Sequence, residues 1–262
     1  MPSSALHVAR TGLEAQDTRM RVIANNLANV GTTGFKRDRA NFATLAYQDA
    51  RVAGQQSSGE TAYATGLNLG TGVGIQATTR IDSQGSLQTT GAALDLALDG
   101  DGYFQVSLPG GQLAYTRAGN FSRSAEGQLV TAQGYIVQPP ITIPEGASSI
   151  TVAQDGTVSA VVAGNAEPTQ LGQLTIASFA NPGGLQSAGD NFLKETAASG
   201  QAQIGAPGEA GRGHIRQGFL EASNVNVVEE LVDMIECQRA YEINSKMVSA
   251  VDEMLKNANQ TL

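Results

Sequence analysis

The chain has one cysteine, two histidines and no tryptophan in 262 residues. The lone Cys237 excludes an intramolecular disulfide and a cysteine-built metal cluster. His7 and His214 fall in different expected domains, so a catalytic triad or a two-histidine metal site lacks its material. Both histidines read as surface residues. Aromatic residues make up 5% and charged residues 15%, the latter against about 25% in an ordinary domain. Surface hydration therefore falls to Ser, Thr, Asn, Gln and backbone amides. No apolar run approaches the roughly 18 residues of a membrane span, which argues against membrane insertion. The first twenty residues place Arg10, Glu14, Asp17 and Arg19 among the apolar positions, where a cleavable secretory signal needs an unbroken apolar stretch. Any export is therefore expected to use a route that reads no such signal.

What is present is glycine, at 31 positions, and 41% apolar residues, enough for a real core. The net charge of -8 disfavours nucleic acid and anionic membrane as partners. Its distribution is uneven. Residues 1–39 carry six basic side chains and three acidic ones, whereas residues 221–262 carry three basic and eight acidic. The two ends are electrostatically complementary, and they share a hydrophobic period. Leu6, Leu13, Met20 and Leu27 recur every seven residues, with Ala9, Ile23 and Val30 at the interleaved position and Gln16 breaking it. Val227, Met234, Tyr241, Val248, Leu255 and Leu262 repeat the spacing at the other end, with Leu231 interleaved. The spacing predicts a helix at each end. Ser3 or Ser4 is placed to cap the first and Asn226 the second, and Gly31 and Gly34 to end the first where positive φ costs little.

The expected class is α+β: the terminal helices paired as a coiled-coil-like domain, with a mainly antiparallel β domain and an extended arm inserted between them. The expected divisions are residues 1–31 for the first helix, 32–71 for a connecting segment with its arm at 46–66, 72–222 for the β domain and 223–262 for the second helix. Residues 46–66 are polar and without period, which reads as a loop, linker or extended arm. From residue 72 short alternating runs, such as Val73 to Ile81, Tyr103 to Leu108 and Gln128 to Val137, are punctuated by turn residues. The pair Asp155-Gly156 between two such runs predicts a type I′ hairpin. The second helix carries more apolar surface than one partner helix covers. Val228, Val232, Ile235, Cys237, Ile243, Met247, Val251 and Met254 lie beyond the seam, and such a surface calls for a further partner.

Catalytic and cofactor chemistry finds little support. Asp95, Asp99 and Asp101 gather in one segment, yet lack the ligand alternation and terminal Glu of an EF-hand. Gly70, Gly72 and Gly74 have no preceding strand and following helix to make a dinucleotide turn. No phosphate loop, nucleophile elbow or zinc-protease motif occurs. The reading is a non-enzyme without metal or cofactor, in which Cys237 serves as a small buried hydrophobe. The run Ala24-Asn25-Asn26-Leu27-Ala28-Asn29-Val30 stands out instead, because three Asn in five residues cost helix stability. Their amides either fray the helix end or bond to neighbouring helices and fix register.

Thr11-Gly12-Leu13, this Asn-rich run and Thr33-Gly34-Phe35-Lys36 resemble the N-terminal signature of the bacterial flagellar rod and hook proteins. Glu221-Ala-Ser-Asn-Val-Asn-Val, Glu229-Glu230-Leu231 and Gln238 to Lys246 resemble the C-terminal one, and Gly102 to Val106 with Tyr115-Thr-Arg117 extend the likeness through the β region. Length and the 46–66 stretch are most similar to the distal rod members. The resemblance implies a structural subunit that polymerises with copies of itself into a hollow, rigid, torque-transmitting shaft enclosing an export channel. It implies contact with proximal rod, hook, envelope rings and the flagellar type III export apparatus, in a basal body crossing the periplasm. Helix packing is expected of Leu6, Leu13, Met20, Ile23, Leu27, Val30, Leu231, Met234, Tyr241, Val248 and Leu255, with polar register contacts from Asn25, Asn26, Asn29, Gln238, Arg239, Asn244 and Lys246. Gly34, Phe35 and Lys36 form the motif turn. A proximal rod or hook subunit stays open as an alternative, as does a β-rich binding or adhesion module held by a terminal coiled coil.

Overall fold

Seven-residue spacing at both ends of the chain becomes two helices, α1 at Pro2–Ala28 and α2 at Val227–Gln260. The computed structural model describes residues 2–58, 61–162 and 167–260, so Leu262 of the C-terminal repeat lies outside the described residues. Helix α2 starts as its sequence dictates: Asn226 Oδ1 accepts from Val228 N at 3.1 Å, and Asn226 O accepts from Glu230 N at 3.0 Å. Helix α1 begins at Pro2, a residue suited to a first helical position, so Ser3 and Ser4 are inside the helix rather than capping it. Gly34 has the expected positive φ of 67°, whereas Gly31 has none and lies in the turn after the helix has ended.

The chain divides into two compact units, one of residues 1–27, 38–79 and 226–262, the other of residues 28–37 and 80–225. In the first unit the helices run antiparallel, as their contacts show. Asn26 meets Glu230, Arg19 meets Asp233 at 2.9 Å, and Cys237 Sγ donates to Gln16 O at 3.1 Å. Asn244 lies against Gly12, where a methyl group would approach its Nδ2 to 3.1 Å. The remainder of this unit is β structure. Strands β1 (Asp38–Thr44) and β6 (Val73–Arg80) pair with each other. Between them β2 (Tyr47–Arg51), β3 (Gln56–Ser58), β4 (Thr61–Ala62) and β5 (Leu67–Gly70) form one hairpin, with β2 antiparallel to β5 and β3 to β4. The aperiodic 46–66 stretch is thus a ladder, with Gly59 and Glu60 outside the described residues.

The second unit is built round β9 (Tyr103–Ser107), following β7 (Leu87–Thr89) and β8 (Leu96–Asp99). Strand β9 pairs antiparallel with β10 (Leu113–Thr116) on one side and with Ile136–Gln138 and Ile176–Ser178 on the other. Its side chains are buried on both faces, so it reads as nearly continuous apolar sequence. Phe104, Val106, Leu96, Leu98, Leu174, Ile176 and Ile215 are at most 1% exposed and anchor the main core. A second cluster gathers Tyr103, Tyr115, Ala177, Leu185 and Leu193, with the Phe179 and Tyr115 rings edge to face at 4.8 Å.

Two details of this unit correct the sequence reading. Gln128 to Val137 is two short paired strands, Leu129–Val130 and Ile136–Gln138, because Thr131 O closes a turn with Gly134 N at 2.9 Å. The hairpin at Asp155-Gly156 joins Ala147–Val152 to Thr157–Val162, but only Gly156 has positive φ, at 84°. Its turn is a four-residue one, closed by Gly156 N to Ala153 O and Ala153 N to Thr157 O. Asp155 Oδ1 accepts from Thr157 N and holds the wider loop open, so the type I′ geometry is absent.

Candidate assembly site

Assembly calls for surface that the chain itself leaves uncovered, and α2 supplies it. Glu230, Cys237, Asn244 and Val251, spaced every seven residues, lie on its α1-facing side, with Glu230, Cys237 and Val251 buried and Asn244 partly so. Among the expected packing residues Met234, Val248 and Leu255 are half-buried, whereas Leu231 is 44% and Tyr241 43% exposed. The period is the expected one and the phase is different. Val232, Ile243, Met247 and Met254 are about half exposed or more. At 100° per residue these four fall in a stripe about 60° wide, centred roughly 110° round the helix from Cys237. Gln238, Arg239 and Lys246 are exposed as well.

On α1, Ile23 is buried, Leu6, Leu13, Met20 and Leu27 are half-buried, and Val30 is exposed just past the helix end. Asn25 is exposed, and Asn29 Oδ1 accepts from Thr32 Oγ1 at 3.1 Å. Asn26 is the member of the Asn run that matters inside the chain. It is 1% exposed, its Nδ2 donates to Asp38 O at 2.8 Å and to Glu230 Oε2 at 3.2 Å, and its Oδ1 accepts from Asp38 N at 2.9 Å. One amide thereby ties the end of α1 to the start of β1 and to α2, a use that explains its helix cost. The thiol of Cys237 is fully buried, and that burial pushes its pKa up, away from reactivity. Gln16, the residue that interrupts the α1 repeat, accepts its hydrogen bond through O and Oε1.

The motif turn does different work. In the second unit Gly34 N donates to Glu221 O at 2.8 Å, and Lys36 Nζ lies 2.6 Å from Glu221 Oε1 and 2.7 Å from Ser83 O. Gly85 N donates to the same Glu221 Oε1, and Arg117 Nη1 stands 3.5 Å from Glu221 Oε2. Asn224 completes the clasp: its Oδ1 accepts from Arg37 N at 2.7 Å, and its Nδ2 donates to Ile81 O and Ser83 O. Lys36 and Glu221 are both buried, and burial outweighs Glu221 in pulling the Lys36 pKa down. The N- and C-terminal motifs thus meet each other within one chain. The sequence points to Lys36 through the motif turn and gives no sign of its pairing with Glu221, since nothing in linear spacing links residues 185 positions apart.

Tyr103 lies beside this clasp, its hydroxyl donating to Asp82 at 3.1 Å. Burial, and then the Asp82 charge, push its pKa up to about 12. The folded state therefore keeps a proton that the unfolded chain releases near pH 10. Stability from this group is whole below pH 10 and is lost as pH rises toward 12, by about 3 kcal/mol at about 1.4 kcal/mol per unit. Denaturant titrations between pH 9 and 12 are expected to show Tyr103→Phe flatter than the wild type by that amount.

Among the described residues no group of His, Cys, Asp and Glu is placed to hold a metal ion, and no helix is long and apolar enough to cross a membrane. His7 and His214 are both exposed. Three family models match: flagella basal body rod protein over residues 6–36, the flagellar hook protein FlgE/F/G D1 domain over 97–160, and the flagellar basal body rod FlgEFG protein C-terminal region over 216–261. The first contains Gly34 and Lys36 of the clasp, and the last contains Glu221 and Asn224. The flagellar basal-body rod protein FlgG of Buchnera aphidicola from Acyrthosiphon pisum is 51% identical, over 98% of each chain. FlgG of Caulobacter vibrioides is 48% identical over 98% of each, whereas FlgF of the same bacterium is 33% identical over 99% of this chain and 98% of its own. With half its residues shared along nearly its whole length, this chain belongs to the FlgG family of flagellar basal-body rod proteins and is a structural subunit of the distal rod.

Proposed function

We propose that α1 and α2 pair in a coiled-coil-like manner and, repeated from copy to copy, line the inner wall of a hollow rigid shaft. The shaft crosses the periplasm, carries torque from motor to hook and encloses the export channel, so the chain works without catalysis, metal or cofactor. Its partners are copies of itself, proximal rod and hook subunits at either end, the envelope rings around it and the type III export apparatus. The observation that carries this reading is the exposed stripe Val232, Ile243, Met247 and Met254, apolar surface on α2 turned away from α1. A head-to-tail contact that does not close on itself extends indefinitely, and covers this stripe in every copy but the last. Polar side chains beside it, Gln238, Arg239 and Lys246, then set register between copies, with Asn25 doing so from α1.

The hairpin of residues 46–66 is the arm that stiffens the shaft by bracing adjacent subunits. Tyr47 and Val52, each 61% exposed, offer it apolar footholds. Deleting residues 46–66 is expected to leave the melting of the β domain unchanged and to yield shafts that bend in electron micrographs of basal bodies. Straight, fully assembled shafts from the deletion chain would sink the bracing role.

A further inference from the structure

The chain passes between its two units four times, after residues 27, 37, 79 and 225. On the β-domain side all four passages belong to the segments held by the clasp, residues 28–37, 80–85 and 221–225. None of these segments contributes a residue to either apolar cluster of that domain. They are fastened by hydrogen bonds and by one buried charge cluster. In that cluster the carboxylate of Glu221 faces two cations, Lys36 at 2.6 Å and Arg117 at 3.5 Å; the Asp82 charge also acts on Lys36, and the Nε and Nη1 of Arg117 have no hydrogen-bond acceptor among the described residues.

We propose that this clasp is a mechanical coupling, with Glu221 as its positioning residue: it holds the β domain's chain exits as one rigid platform and thereby sets shaft stiffness. The inference rests on the rod reading. Segments that lie outside the apolar clusters of a domain open without unfolding the core they adjoin. The carboxylate opposes this, because without it the two buried cations repel each other, Lys36 loses its paired acceptor, and only the Asp82 charge is left to offset them. Asn224 does the same for the backbone, joining residues 37, 81 and 83 through one side chain.

The test is Glu221→Gln in the full-length chain, read by hydrogen exchange on dilute protein and by the curvature of shafts in isolated basal bodies. The coupling predicts exchange more than tenfold faster at Gly34 and Gly85, unchanged exchange at Phe104 and Val106, and shafts more curved than wild type. Unchanged exchange at Gly34 and Gly85 overturns it, as does equal acceleration at Phe104, which marks general destabilisation. Accelerated clasp exchange with straight shafts overturns the mechanical role. If Glu221→Gln does not accumulate as folded protein, Asn224→Ala, which strands no buried charge, must meet the same criteria at Gly34 and Ile81. Failure of the rod reading itself appears in the wild-type chain, as absence of shafts, before any variant is compared.

Discussion

Ile243→Glu is expected to leave the isolated chain as stable as wild type and to stop shaft growth. Ile243 is 61% exposed on α2, so the change removes little buried area. Glutamate is a strong helix former, and it would stand one turn from both Arg239 and Lys246, where opposite charges favour the helix. The stability change in the dilute chain is therefore within about 0.5 kcal/mol. Assembly is another matter. If a neighbouring copy covers the stripe, each added subunit buries an unpaired carboxylate, which costs at least about 3 kcal/mol and raises the concentration needed for growth about a hundredfold or more. Sedimentation of purified chain and the motility of cells carrying the variant measure both effects.

Gly34→Ala is expected to have the largest effect on stability. At φ 67° an alanine is strained, and its Cβ would lie 2.6 Å from the Arg117 carbonyl carbon and 2.7 Å from Ala118 N. Both are backbone atoms of a buried segment, so neither yields as a flexible side chain does. Relief by moving Gly34 breaks its bond to Glu221 O and loosens the charge cluster beneath it. Strain, overlap and lost hydrogen bonding together amount to roughly 3–5 kcal/mol, a large share of the 5–15 kcal/mol that holds a typical domain. The urea midpoint of the full-length chain is the measure. Gly31→Ala is the control, because no atom lies within 4 Å of a Cβ there and φ is not positive. It is expected to be neutral or slightly stabilising.

The two helices are legible in the sequence because a seven-residue period survives any choice of phase. The phase itself is not legible. Apolar content selects Leu231, Met234 and Tyr241 as the seam, yet the side toward α1 carries Glu230, Cys237 and Asn244. These face Asn26, Gln16 and Gly12, partners as small and polar as themselves. A polar seam frees the apolar residues for the outer side of α2. The hairpin at 46–66 escapes detection for a related reason: alternation of apolar and polar residues marks a strand with one buried face, and both faces of β2 and β5 are largely exposed. Strands β6 and β9 are readable, being short runs of strand-type residues bounded by turn residues. The clasp is not, since Lys36 and Glu221 are individually unremarkable charges that only the fold brings together. Their membership in the motifs was visible, and their partnership was not.

Growth of the shaft requires α2 to present a surface that neighbouring copies cover. Hydrogen exchange compared between dilute chain and assembled shaft, read over residues 227–260 and referenced to β9, tests this most directly. The expected result is that the amides of α2 are markedly more protected in the shaft than in the dilute chain, with little change in β9. Equal protection of α2 in both states would contradict it, and would mean that the helical pair is complete within one chain.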